Sequence, residues 1–435
     1  MTGTNDPRDK LLNEPMHRLQ ITIVAIMVLM NGLDGFDVLS IAFAAPGIAA
    51  EWGIDRAALG LVLSMELIGM SLGSIALGGV ADKIGRRPTM LGCLLVMAVG
   101  MFMATTASGV VQLSIWRVIT GLGIGGMLAA INAVTAEFAN AKRKHLSVSL
   151  MTIGYPLGAV AGGMVSAELL QAYGWRSVFY FGSAVTAICI PLVYFLVPES
   201  VHWLVRKQPV GALEKINTTM MRLGHAAIDA LPTITQDDRK RSIGDIFSKG
   251  LMATTIIVTL AYFCHITTFY YILKWVPKIV VDMGFAPSSA AGVLVSANVG
   301  GALGGAIFGL LTLKYDVRKL SILIMLISGV MVALFGQTPA DLTTLKLVCA
   351  ATGFFTNGAV VGMYALFAHA YPTHVRAFGT GFGIGVGRGG SVLAPIAAGV
   401  LFAGGFGLGV VSLLMAVGSI IAAAALVFLK LQDEA

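Results

Sequence analysis

Gly78-Gly79-Val80-Ala81-Asp82-Lys83-Ile84-Gly85-Arg86-Arg87-Pro88 joins two apolar runs, residues 57–80 and 89–106. Each run is long enough to cross a hydrocarbon core of about 30 Å, so the stretch between them is a short polar turn at a membrane surface. Its glycines permit a tight turn and close helix approach. Asp82 can accept hydrogen bonds from a neighbouring helix N-terminus, and Lys83, Arg86 and Arg87 hold the turn in water.

Working outward, the same alternation of apolar run and polar break repeats along the whole chain. Hydropathy predicts spans at 19–48, 57–80, 89–106, 110–136, 147–170 and 175–197, then at 251–279, 288–313, 320–336, 344–370, 378–404 and 406–430. With 57% hydrophobic and 12% charged residues and a mean hydropathy of +0.85, the chain is an all-α integral membrane protein of twelve transmembrane helices. The expected organisation is a cytoplasmic N-terminus (1–18), a six-helix bundle (19–197), a cytoplasmic linker with one or two interfacial helices (198–250), a second six-helix bundle (251–430) and a short cytoplasmic tail (431–435).

Lys and Arg set the orientation. With the N-terminus inside, 22 of the 29 basic residues fall in cytoplasmic segments, while the outer ends keep Arg56, Arg176, Lys278 and Lys346. Both termini are therefore expected in the cytoplasm. The net charge of +7 is the sum of basic inner loops and implies no nucleic-acid partner. The first twenty residues carry no signal peptide, so the first span is expected to direct insertion. Cys93, Cys189, Cys264 and Cys349 fall singly in predicted spans without ligand spacing, which points to packing thiols and to no metal, disulfide framework or cofactor. No nucleophile with a positioned base marks the chain as an enzyme.

A second, worn copy of the opening stretch lies between spans eight and nine, where Gly309, Lys314, Asp316, Arg318 and Lys319 keep the basic character and Leu313 stands in place of Asp82. Equivalent placement in the two six-helix halves is the mark of an internal duplication. The first copy matches the G-x-x-x-D-[RK]-x-G-R-[RK] signature, and the chain resembles the major facilitator superfamily. Arg117, Gly121 and Gly123 in span four are similar to its R-x-x-x-G-x-G pattern, with Gly125 and Gly126 following. Pro198-Glu199-Ser200 with Trp203-Leu204 resembles its P-E-S-x-x-W-L ending. Gly78, Asp82, Gly85, Arg86 and Arg87 are then either a topology signal or a conformational latch between the bundles.

Asp34-Gly35-Phe36-Asp37 puts two acids three positions apart on one face of span one. This stretch, with Pro46 and Trp275-Val276-Pro277, is similar to the D-G-x-D family of aromatic acid:proton symporters. The resemblance implies import of benzoate, hydroxybenzoates, protocatechuate or muconate-like acids with protons. Phe36 in place of a common Tyr, Leu313 in place of an acid, and Glu66 in span two depart from that family. A non-aromatic acid symporter or a proton-exchange exporter of hydrophobic compounds remains the alternative; the missing order of Gly and Pro in span five weakens the exporter.

At about 1.5 Å per helical residue, Asp34 and Arg117 reach a similar depth, Asp37 lies nearer the outside, and Glu66 and Arg388 lie near the midplane. Charges of both signs thus converge from both halves. Arg388 is expected to meet the substrate carboxylate with planar hydrogen bonds; Arg117, the other candidate, is expected to partner Asp34. Burial favours a neutral Asp and a nearby arginine a charged one, so proton affinity can follow the direction the cavity faces. Asp34, Asp37 and Glu66 are the proton-coupling candidates. His265, Tyr270 and Asn357 join Arg117 and Arg388 as substrate-binding candidates, His265 against the reading of a neutral, hydrogen-bonded structural histidine. Lys274 counts out at the outer interface and is expected to snorkel as an anchor. The protein is expected to work as a monomer in a bacterial inner membrane.

Overall fold

The computed structural model describes residues 6–232, 246–248, 250–312, 314–371 and 375–429. Leu313 and the Arg239-Lys240-Arg241 run lie outside the described residues. Among those described there are fifteen α-helices. In chain order they are α1 Pro7–Asn13, α2 Arg18–Trp52, α3 Arg56–Ile84, α4 Arg86–Thr105, α5 Val110–Phe138, α6 Lys144–Ala172, α7 Arg176–Leu196, α8 Val201–Lys207, α9 Ala212–Arg222, α10 Met252–Asp282, α11 Pro287–Leu311, α12 Val317–Phe335, α13 Leu342–Ala370, α14 Arg376–Ala403 and α15 Leu408–Val427. Twelve of them, α2–α7 and α10–α15, are long and apolar enough to cross a membrane. Their positions follow the hydropathy runs, with ends set by caps that hydropathy does not see. α2 continues past residue 48 to Trp52 until Gly53, at φ 60°, turns the chain out of the helix. Asp55, Asp316 and Asp341 accept backbone N–H bonds at the starts of α3, α12 and α13.

The two sets of six helices use one packing scheme twice. In the first half α2 packs on α6, α3 on α5, and α4 on α5 and α7; in the second, α10 packs on α14, α11 on α13, and α12 on α13 and α15. The contacts between halves obey the same equivalence: α3 meets α14, α6 meets α11, and α2 meets its counterpart α10.

Those contacts are confined to one end. Along α3, Arg56 pairs with Asp282 at 3.0 Å, Gly60 lies against Pro395 and Gly399, Ser64 donates to the Val392 carbonyl at 2.8 Å, and Met70 and Ser74 accept from Arg388. Among the described residues no hydrogen bond or ion pair to the other half is formed by the last ten residues of α3, from Ile75 to Ile84. The apolar cores repeat the division. One, containing Phe43, Leu63, Trp275, Leu294 and Ala398, draws on both halves. Of the other two, one is built around Met27, Met97 and Phe138 of the first half and the other around Phe308, Phe367 and Leu426 of the second. The molecule is sealed at the Arg56 end and parted at the end bearing the 78–88 turn.

Two short helices follow α7. Trp203 and Leu204 of α8, and Ile216 and Met220 of α9, are buried in the core of the first half.

Candidate functional site

Helix α2 carries the two acids into the middle of the molecule because α6 lies unusually close to it. A Cβ at Gly35 would collide with the Tyr155 carbonyl, and one at Gly158 with the Gly32 carbonyl. Small residues let the backbones touch, which seals Asp34 and Asp37 from lipid and water. Asp34 is 2% exposed and Asp37 0%, and neither carboxylate has a hydrogen-bond donor among the described residues. Unpartnered buried carboxyls are costly and call for an explanation in function. The charges acting on Asp34 are Asp37, Arg388 and Glu66; those on Asp37 are Glu66 and Arg117.

Two expectations are corrected here. Arg117, fully buried on α5, does not partner Asp34: its guanidinium pairs with Glu66 of α3, and it donates to the Asp37 backbone carbonyl at 3.1 Å. It also lies 5.2 Å from the Phe179 ring. The depth count put Asp34 and Arg117 on one level but could not give the azimuth, and α3 packs more extensively on α5 than α2 does. Lys274 is not an interfacial anchor. It is fully buried, with Nζ donating to the Val38 carbonyl of α2 and 3.5 Å from Glu66 Oε2. α10 runs on to Asp282, so Lys274 lies two turns inside the helix end rather than at it. Glu66 thus receives one cation from each half.

Arg388, half-buried on α14, donates to the Met70 carbonyl at 3.3 Å and to the Ser74 hydroxyl. Among the described residues no carboxylate forms an ion pair with it. Tyr270 of α10 interacts electrostatically with Tyr155 of the first half and with Arg388 and Tyr364 of the second. Beside these tyrosines a cavity of about 30 Å³ is lined by Tyr155, Phe269, Asn298 and Asn357, among others. It has room for water but is well below the roughly 150 Å³ that holds a benzene ring. Asn357 donates to the Gly301 carbonyl at 2.6 Å. His265 is placed differently from its substrate-binding assignment. Both its ring nitrogens are engaged, one with Ser419 Oγ and the other with the Thr356 carbonyl, each at 2.9 Å. This ring ties α10 to α15 and α13 and offers no free nitrogen to a ligand.

At the parted end, the 78–88 turn is held by its own half. Arg86 pairs with Asp82 at 2.7 Å and Glu137 at 3.3 Å, while Glu199 accepts from the backbone N–H groups of Arg86 and Arg87. Gly85 has φ 112°, and any Cβ there would strike the Glu199 carboxylate. Burial pushes the Glu199 carboxyl up, against the pull of those backbone donors. Trp203 closes the arrangement by donating to the Asp82 carbonyl at 3.0 Å. The Pro198-Glu199-Ser200 and 78–88 motifs are thus two parts of one joint.

Comparison with known proteins agrees with this architecture. The sequence matches the Major Facilitator Superfamily over residues 27–308 and again over 258–435, overlapping matches that together reach the end of the chain. It is 31% identical over 393 residues to the 4-hydroxybenzoate transporter PcaK of Pseudomonas putida, covering 89% of this chain and 87% of the relative. It is 27% identical to the gallate transporter of the same organism, covering 97% and 94%. The crystal structure of a D-xylose-proton symporter superposes with a TM-score of 0.74 at 17% identity, covering 94% of this chain and 97% of that one, a likeness of fold alone. The chain is therefore a multi-pass membrane transporter of the major facilitator superfamily and belongs to its family of aromatic acid transporters.

Proposed function

We propose that this protein imports an aromatic carboxylate together with protons, by alternating access between its two six-helix halves. The observation that carries the reading is the combination of two buried acids, Asp34 and Asp37, with an arginine from the opposite half, Arg388, the acids having no donor and the arginine no carboxylate partner among the described residues. An arginine without a carboxylate partner is suited to a bound carboxylate, and an acid without a donor gains one hydrogen-bonding proton when protonated. Tyr270 lies within electrostatic reach of that arginine, and Tyr155, Phe269 and Asn357 line a cavity between the halves. The transport of 4-hydroxybenzoate and gallate by relatives supports an aromatic acid as cargo. An exporter of hydrophobic compounds would have no use for an unpaired arginine at this junction.

The basic loops assign the 78–88 end and both termini to the cytoplasm. The sealed Arg56–Asp282 end then faces outward and the state described is inward-facing. Asp82, Arg86 and Arg87, which form no hydrogen bond or ion pair with the second half among the described residues, would reach it in the opposite state, which is the latch reading of that turn. Residues 198–250 act as the linker, and a monomer in a bacterial inner membrane suffices for the cycle.

The test is uptake of radiolabelled 4-hydroxybenzoate into proteoliposomes, with benzoate, protocatechuate, gentisate and muconate as competitors. Accumulation under an inward proton gradient that collapses with an uncoupler is expected. Asp34→Asn and Asp37→Asn should retain exchange of labelled for unlabelled substrate while losing gradient-driven accumulation. Accumulation indifferent to the proton gradient would refute coupling, and stronger competition by muconate than by the aromatic acids would move the cargo class.

A further inference from the structure

Lys274 crosses the boundary between halves at the sealed end. It grows from α10 of the second half, yet its ammonium group is spent on the first half, on the Val38 carbonyl of α2 and the Glu66 carboxylate of α3. The other cation on Glu66, Arg117, belongs to the first half and moves with it. When the halves part at this end, Arg117 stays with Glu66, whereas Lys274 is carried away on α10.

Charge counting shows what that withdrawal does. With Lys274 in place, Asp37 and Glu66 face Arg117 and Lys274, and the cluster is neutral without any bound proton. Without Lys274, the same two acids face one cation, and one proton restores neutrality. Other elements do not upset this balance. Of the other acids of α2, Glu51 pairs with Arg176 at 2.7 Å, and Asp34, which feels Asp37 and Glu66, is offset by Arg388 of α14. α11 and α15, which also pack on α10, carry no ionisable side chain, and α12 carries Arg318 and Lys319 where it begins at the parted end. α13 brings Cys349 beside Tyr271; its Lys346, near the start of the helix, and His369, in the last turn, form no ion pair with the cluster among the described residues.

We infer that Lys274 is a tethered cation that alternates with a proton on the Glu66–Asp37 cluster, inserting when the outer end seals and leaving when it opens. Resting on the proton-coupled reading above, this assigns one carried proton to the insertion of one lysine. The proton is bound from outside while Lys274 is withdrawn. It is displaced toward the open inner end when the ammonium group, already protonated, re-enters. No bond other than the O–H of the carboxyl forms or breaks. Lys274 thus acts on the proton site through its charge and carries no transported proton itself.

The experiment compares two readouts in proteoliposomes loaded with 4-hydroxybenzoate: exchange at equal pH, and accumulation under an inward gradient of about one pH unit, which supports about tenfold accumulation per coupled proton. For Lys274→Met, exchange should persist while the proton-driven accumulation ratio falls by the factor one proton supplies. Lys274→Arg should restore it. If Lys274→Met fails to fold, the pair Glu66→Gln with Lys274→Met removes both buried charges and should show the same split. Accumulation at the parental level in Lys274→Met or in the double variant would overturn the inference, as would loss of exchange and accumulation in equal proportion, the signature of a purely structural lysine. If the parent protein itself accumulates substrate without regard to the gradient, the proposed function has failed and the inference falls with it; a coupled parent with an unaffected Lys274→Met separates the two.

Discussion

Glu66 accepts two cations that arrive on different helices, Arg117 from α5 and Lys274 from α10, in a pocket where all three side chains are inaccessible to solvent. Removing one partner from a buried ion pair leaves an uncompensated charge, and the usual cost is about 3 to 5 kcal/mol. Glu66→Gln is therefore expected to lower the thermal unfolding temperature of the purified protein more than Asp34→Asn does, because Asp34 has no ion-pair partner to strand. Equal melting temperatures for the two variants would show that the Glu66 pair contributes nothing net. The acid itself was visible in the sequence, as was Arg117. Their pairing was not, since three acids and two cations at similar depth admit several matchings and only rotation about each helix axis selects among them.

Helix α2 and the joint at the end of α3 show how elements set that rotation. Gly35 is part of a four-residue motif whose acids draw attention, yet its own task is to let α6 approach to backbone contact. Gly35→Ala should cost about 1 to 3 kcal/mol, as overpacking does, and should reduce exchange and accumulation together; thermal unfolding alongside transport checks it. At the other end, α8 carries the half-buried His202; partial burial holds its imidazole below its usual value, against the pull of Glu137. A histidine with a lowered folded-state pKa takes up its proton more readily when unfolded. Its penalty is absent above the unfolded value near 6.5 and grows as pH falls below that value toward the folded one. The parent should lose thermal stability between pH 7 and 5.5 by more than His202→Gln does, and identical losses would discount the residue.

Over the whole molecule the two halves share one apolar core at the sealed end and keep separate cores at the parted end, so opening the outer side must divide the shared one. The Arg56–Asp282 pair, with Lys278 also on Asp282, is the outermost polar contact across that seam. Exposed pairs of this kind contribute about 0.2 to 1 kcal/mol. Arg56→Ala should then shift the balance toward the outward-open state by a few-fold without abolishing transport, measured as faster labelling of a cysteine placed at Ser64. A disulfide between cysteines substituted at Arg56 and Asp282 should stop transport reversibly, restored by reductant. Continued uptake by the cross-linked protein would rule out rigid-half alternation at this seam.

The amino-acid sequence alone determined the twelve spans, the duplicated halves and the candidate acids and arginines, because each depends on local quantities: apolar run length, the sign of loop charge, and motif spacing. It also suggested the resemblance that the comparisons bear out. Tertiary structure decided which charge meets which. It moved Arg117 from Asp34 to Glu66, turned Lys274 from an expected surface anchor into a buried cation shared between halves, and engaged both nitrogens of His265. The physical reason is that hydropathy and helical rise fix depth along the membrane normal, whereas azimuth and neighbours follow from the packing of non-adjacent helices, which no local pattern encodes.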